Sequence, residues 1–379
     1  MAVHRPDSGE ALAGIVAECV EARRPMAIRG AGTTDIVIDA ETVIDIAAHR
    51  GIVDYDPEEL IVAARSGTPL AEIEALLASR QQMLAFDPVD PKAISGGAPG
   101  GATIGGIVAS GNAGPRRVSA GAARDHLLGF TAISGRGEPF KAGGRVVKNV
   151  TGFDLAKLFA GSWGTLGVLD TVTLRVVPAP RFEATLIVPC DCVEAGRIMA
   201  AGLRHAAAVS CAAWSDGRAL FRIDGFRPSV DARFDQLARM VGRPAERADG
   251  DGSKRLWNAV RTVEAIPATA ALWRVGLPTT RGAAFAEAMA GEGFRVLIDW
   301  GGARVWLGGA DDGDAGAEMV HQRAATSGGQ ARLVRASPAV RARAAPPPPD
   351  AVTAMLHRRL REAFDPHGLF NPGLDPWER

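Results

Sequence analysis

The chain has 379 residues, long enough for two domains, and 47% of them are hydrophobic, enough for a sizeable buried core. Basic and acidic side chains balance at 43 each, which argues against a nucleic-acid partner, because such binders carry a basic excess. Four scattered cysteines (Cys19, Cys190, Cys192, Cys211) supply neither a disulfide framework nor the grouped thiolates of an iron–sulfur cluster, and they fit reduced thiols in a cytosolic protein.

No basic-then-apolar signal pattern opens the chain, since Asp7 and Glu10 precede the first apolar stripe. The spacing predicts a first helix capped by Asp7, with Glu10 reaching back and Leu12, Ile15, Val16, Cys19 and Val20 on its apolar face. A short strand at Met26–Arg29 breaks at Gly30, and strand-like runs follow at 43–46, 52–55 and 60–64. Thr68 and Pro69 then open a second helix carrying Leu70, Ile73, Leu76 and Leu77. This order is α+β. A doubly wound dinucleotide fold would open on a strand, a GxGxxG turn and a helix, and after Gly30 and Gly32 the third glycine is missing.

Residues 93–115 carry no charge and are long enough to span a bilayer. Their many glycines and Pro99 make a lipid-facing helix a poor reading, so no transmembrane segment is expected and the stretch reads as a backbone-rich loop system. Strand-like runs at 127–134 and 145–148, a helix at 154–160 and a β-branched run at 168–177 follow. Pro178 and Pro180 mark a domain boundary. Beyond it, strand-like pieces (184–188, 220–223, 271–275, 295–299, 304–307) alternate with Ala/Arg-rich helical stretches, as expected for an antiparallel sheet with helices on one face. A proline-rich linker at 346–349, a helix at 351–364 and the segment FDPHGLFNPG close the chain. The expected division is 1–180, a smaller domain at 181–345, and a C-terminal segment at 346–379.

Three glycine-rich turns carry the chemistry: RGAGTT at 29–34, ATIGGIVASGNAGPRR at 102–117 and GSWGTLG at 161–167. Glycine lets a ligand approach the backbone, and successive bare N–H groups form a nest for anionic oxygens. All three bends are expected to offer amides to one diphosphate, with Thr33 and Thr34 adding hydroxyls and Arg29 a positive charge. A phosphate-bearing cofactor follows.

In order and motif, these turns resemble the FAD-binding domain of the vanillyl-alcohol oxidase and p-cresol methylhydroxylase family. The run GGRVVKNVTGFDLAKLFAGSWGTLGVLDTVTLRV at 143–176 is similar to the branch containing the E subunit of bacterial glycolate oxidase, and FDPHGLFNPG to that branch's C-terminal segment, which returns to the FAD domain. The resemblance implies a two-part FAD-binding domain plus a smaller cap domain. It also implies cofactor contacts at Arg29, Gly30, Ala31, Gly32, Thr33 and Thr34 in the first turn. Further contacts fall at Thr103, Ile104, Gly105, Gly106, Ser110, Asn112 and Gly114, and at Gly164, Thr165, Gly167 and Val168.

Three departures shape the expectation. Thr33 stands where covalent members carry a histidine, so the FAD is expected to be non-covalent. The seven histidines form no HxH or HxxxH pair, so no metal site is expected and no catalytic base is assigned. Phe153 replaces the tyrosine of a GYDL motif, keeping the packing ring and losing the hydroxyl. Arg116 and Arg117 read equally as anion ligands or a solvated pair; Lys148 and Asn149 as flavin neighbours or a cap; Trp163 as a flavin wall or as packing. The Ala/Arg run at 331–345 reads as a solvated edge or a subunit contact.

The implied function is oxidation of glycolate or a similar small 2-hydroxy acid to the 2-oxo acid. It would occur in a cytoplasmic complex with a catalytic flavoprotein subunit and an iron–sulfur subunit that takes the electrons, peripheral attachment at the inner membrane being left to those partners. Two alternatives stand beside it: a stand-alone FAD-dependent oxidoreductase of another small alcohol or hydroxy acid, and a redox-silent flavin-containing structural subunit.

Overall fold

The computed structural model describes residues 2–34, 38–98, 100–144, 153–205 and 208–374; the strand-like run at 145–148, with Lys148 and Asn149, lies outside the described residues. The chain forms two compact units. One comprises Met1–Ala113, Gly121–Ala179 and Pro348–Glu378; the other comprises Gly114–Ala120 and Pro180–Pro347. The short piece Gly114–Ala120, drawn from the glycine-rich stretch, thus belongs with the later unit.

In the first unit, Ala2–His4 and Met26–Arg29 flank Thr42–Asp45 in a three-stranded parallel sheet. Helix Gly9–Glu21 buries Leu12, Val16 and Cys19 against Met26, Ile44 and Phe370. Its cap is Ser8, not Asp7: the Ser8 hydroxyl accepts from the Ala11 N–H at 3.2 Å. A five-stranded antiparallel sheet runs in the order Ile52–Asp56, Ile61–Arg65, Val168–Arg175, Leu127–Ile133, Pro139–Gly143. The β-branched run sits at its centre, where such side chains pack on both faces. The C-terminal segment returns to this unit. Met26 N donates to Leu369 O and Asn371 N to Met26 O, both at 2.8 Å, and Phe370 is fully buried. The Asp365 carboxylate shapes that return by accepting from the Leu369 and Phe370 amides at 3.0 and 2.8 Å.

Asp170, on the central strand, meets buried His49 at 2.6 Å and the Thr131 hydroxyl at 2.6 Å. Burial pushes its carboxyl pKa up, but the hydrogen bonds from His49 and Thr131 outweigh it and the net shift is downward. A carboxylate with a depressed folded pKa contributes stability that is complete above its unfolded value of 3.8 and is lost as pH falls below it. Wild-type protein should therefore lose thermal stability across that acid window. Asp170→Asn should be less stable at neutral pH and show a shallower acid limb; equal acid slopes in melts of the two proteins would refute the assignment.

The second unit is an eight-stranded antiparallel sheet in the order Glu246–Asp249, Phe182–Pro189, Arg218–Gly225, Cys211–Ser215, Arg295–Asp299, Arg304–Gly309, Ala271–Gly276, Gln330–Arg335. Strand alternation sends Trp273, Val275, Ile298, Val305 and Leu307 to one face. There they pack with helices Cys192–Arg204, Arg227–Val241, Gly282–Gly291 and Ala317–Thr326 through Met199, Phe234, Phe285 and Val320. The Ala/Arg run at 331–345 supplies the edge strand Gln330–Arg335 and the short helix Pro338–Arg343.

The thiols are free and mostly buried. Burial pushes Cys192 up to about 12 and raises Cys19 and Cys190 as well. Native protein at pH 8 should react slowly with a thiol-specific disulfide reagent, and the unfolded chain should titrate four thiols at once. A rapid native reaction at Cys192 would contradict the burial argument.

Candidate functional site

The first unit holds a cavity of about 340 Å³ where the three glycine-rich turns converge. Its walls include Arg29, Gly30, Ala31, Gly32, Thr33 and Thr34 from the first turn, Thr103, Gly105, Gly106 and Ser110 from the second, and Gly164 and Gly167 from the third. The remaining wall is apolar, with Ile28, Ile38, Val43, Ile46, Ile107 and Leu169. A trough walled by apolar side chains together with glycine-rich turns and hydroxyl groups suits a ligand that joins a planar ring to an anionic linker.

The turns play unequal parts. Among the described residues, none of the N–H groups of Ala31, Gly32, Thr33 and Thr34 donates a hydrogen bond. Gly32 sits at φ +65°, a left-handed conformation that favours glycine. Four successive amides without internal acceptors, lining a cavity, form a nest for a diphosphate. Arg29 is already engaged, its guanidinium donating to the Asp45 carboxylate at 2.9 Å, so it braces the turn more than it adds free charge.

The second turn departs from the expectation of bare amides. Gly100, Gly101 and Ala102 donate to one oxygen of Asp90 at 2.8, 3.1 and 3.2 Å. Ile104 and Gly105 donate to the carbonyls of Thr68 and Ser66, and Gly106 to the hydroxyl of Thr103. The stretch is also not all loop: Thr103 caps a helix at Ile104–Ser110. Its glycines serve close packing, because a Cβ on Gly105 would stand 2.7 Å from the Ser66 carbonyl oxygen. Ile104 is core, and Asn112 spans the Val89 backbone at 3.3 and 2.9 Å. Gly114 falls in the other unit, where its carbonyl accepts from the Trp300 indole N–H at 2.9 Å.

The third turn is tied down in part, and the Gly164 N–H at the cavity wall donates to no described residue. Gly161 N donates to Val108 O and Trp163 N to Ala109 O, at 3.0 and 2.8 Å. Trp163 sits at φ +55° and lines the cavity. Thr165 turns inward, its hydroxyl donating to Ser162 O, and Val168 belongs to the core. Phe153 does not pack: its ring is 90% exposed. Arg116 is no solvated residue either, since it is buried and paired with Asp224 at 2.8 Å in the second unit.

Sequence reasoning missed two residues that hold the cavity together. Asn371 accepts from the Ile28 N–H at 2.6 Å and donates to the Trp163 carbonyl at 2.7 Å, clasping the first strand to the third turn. Asp90 organises the approach to the second turn. The NPG at 371–373 and the Asp-Pro at 90–91 are turn signals, but neither points to its distant partner.

A family described as FAD binding domain matches residues 1–143. The fold is shared with a solved alkyldihydroxyacetonephosphate synthase (TM-score 0.68, 13% identity, 98% of this chain and 77% of that one). Fold and turns together define a protein with the FAD-binding-domain fold. Glycolate oxidase subunit GlcE of Escherichia coli (strain K12) is 35% identical over 370 residues, 97% of each chain. The chain belongs to the family of that subunit. Over about half of this chain it is also similar to D-lactate dehydrogenase of Anaerostipes hadrus (34% over 191 residues, 38% of that protein). Glycolate oxidase subunit GlcD of Bacillus subtilis (strain 168) is 28% identical over 198 residues, 40% of that protein.

Proposed function

We propose that this chain is the FAD-binding subunit of a multi-subunit glycolate oxidase that converts glycolate or a similar 2-hydroxy acid to the 2-oxo acid. A GlcD-like catalytic flavoprotein and an iron–sulfur subunit complete the assembly. The observation that carries the reading is the row of four amides, Ala31 to Thr34, that donate to no described residue and line a largely apolar cavity. Those amides and the Thr33 and Thr34 hydroxyls would hold the diphosphate, and Gly164, Trp163 and Leu169 would line the remainder. When bound, FAD supplies a two-electron acceptor. Thr33 offers no imidazole, which fits non-covalent binding.

The partner reading has its own support. Among the described lining residues the one ionisable side chain is Arg29, which already pairs with Asp45. Oxidation of a hydroxy acid needs a group that accepts the hydroxyl proton, and this cavity does not display one. A base from a companion subunit meets that need. Among the described residues no helix is long and apolar enough to cross a membrane.

The test is to purify the chain alone and co-expressed with its companions, then measure flavin released by heat and glycolate-dependent dye reduction. Released FAD with glycolate turnover confined to the assembly is the expected result. Turnover by the isolated chain would instead favour a self-sufficient enzyme, and flavin-free protein in both preparations would overturn the reading.

A further inference from the structure

The second unit carries a cluster of guanidinium groups that the FAD cavity does not use. On the sheet face opposite the helix-covered one, Arg274 lies directly across from Trp306 on one side and Arg332 on the other. Arg304, two residues before Trp306, shares that face and pairs in register with Asp299. Like charges placed opposite each other across a ladder are unfavourable, so this arrangement needs a reason.

The turn at Trp300 brings in a fourth cation. Trp300 is held at φ +55°, with its indole N–H bonded to Gly114 O at 2.9 Å. The Arg304 guanidinium stands 3.2 Å from its ring centroid, and that of Arg117 stands 4.4 Å from it. Arg304 is 6% exposed and Arg274 half-buried. Asp299 adds a carboxylate to the cluster, 3.8 Å from Arg304. Arg274 has no hydrogen-bond or ion-pair partner among the described residues. Burial lowers its pKa and the neighbouring Arg117 lowers it further, the signature of a cation short of counter-charge.

A half-buried guanidinium with no anion beside it can take one from solution. We propose that Arg274, supported by Arg117 and Arg304 around Trp300, is the receiving site for a small carboxylate anion, and, resting on the function proposed above, for the carboxylate of the 2-hydroxy acid or its 2-oxo product. The planar guanidinium fork matches a carboxylate through two parallel hydrogen bonds. Depth favours a small anion over an acidic protein surface, because a folded partner cannot reach a cluster that includes Arg304. Inorganic phosphate shares the charge but not the planar two-oxygen edge.

Titration calorimetry of the flavin-loaded full-length chain tests this with glycolate, glycolamide and inorganic phosphate as the actual probes. Glycolate should bind saturably, glycolamide, which lacks the charge, at least tenfold more weakly, and phosphate no better than glycolate. Arg274→Met should weaken glycolate at least tenfold, Arg274→Lys should restore part of it, and Arg239→Met, on an exposed helix face, should change nothing. Equal binding of glycolamide, tighter binding of phosphate, or glycolate affinity unmoved in Arg274→Met would each overturn the proposal. The probe comparison needs no variant and so stands even where a substitution impairs folding. Flavin released from the same samples reports separately on the proposed function: flavin retained without a glycolate response sinks this site alone.

Discussion

Gly32→Asp is expected to yield protein without flavin. The residue sits at φ +65° among four amides that donate to nothing among the described residues, so any side chain there is strained, and an acidic one brings negative charge beside the proposed diphosphate site. Left-handed backbone costs a non-glycine residue about 1–2 kcal/mol. A carboxylate about 4 Å from a phosphate charge adds about 4 kcal/mol of repulsion at the effective dielectric of a partly exposed site. The repulsion alone predicts a loss of FAD affinity of about a thousandfold, whereas Gly32→Ala, which carries only the strain, should lose stability and keep most of its FAD affinity. Heat-released flavin per chain and the visible absorbance of the purified variants measure it. Flavin retained at full occupancy in Gly32→Asp would show that the first turn does not hold the diphosphate.

Asn371→Ala should be the most damaging small substitution in the C-terminal segment. It strands the Ile28 N–H and the Trp163 carbonyl, now bonded at 2.6 and 2.7 Å, in a residue only 2% exposed. Leaving a buried backbone group unsatisfied costs about 1–3 kcal/mol, and alanine tolerates the φ of +44° less well than asparagine. A destabilisation of about 2–5 kcal/mol is expected, together with weaker flavin retention, because the clasp joins the first strand to the third turn. Phe370→Ala, which empties a fully buried ring site, should cost about 3–5 kcal/mol. Chemical denaturation with and without added FAD checks both; an Asn371→Ala midpoint matching wild type would show that the clasp contributes little.

Local chemistry made much of the first unit legible. Strand Met26–Arg29 and helix Ala351–Phe364 lie where apolar spacing and turn residues put them. The helix expected at 154–160 is present at Leu155–Phe159, with Asp154 as its cap, the carboxylate accepting from Lys157 N. The three glycine turns do converge on one cavity. What stayed hidden depends on distant partners. Spacing could not tell Ser8 from Asp7 as the first cap, since either side chain can accept there. The helix Ile104–Ser110 forms despite poor helix formers because Ser66 and Thr68 take its first amides. The same long-range bonds, with those of Asp90, leave the first turn as the one with four successive amides to offer. In the second unit, strand Cys211–Ser215 is alanine-rich and strand Gln330–Arg335 is broken up by Arg332 and Arg335, so neither carried the apolar alternation that marks a strand.

The path of the chain through its two units has a practical outcome for anyone who tries to take the molecule apart. Residues 114–120 leave the first body early and fold with the second, while residues 348–378 come back at the end. A protease nick between Ala179 and Pro180 would therefore give two pieces, each retaining a part of the other's fold. Those pieces should co-migrate under native conditions and separate only in denaturant. A swap of the second body between relatives must carry Gly114–Ala120 along with it, or the grafted sheet arrives without the arginine that pairs with Asp224 and the carbonyl that anchors Trp300.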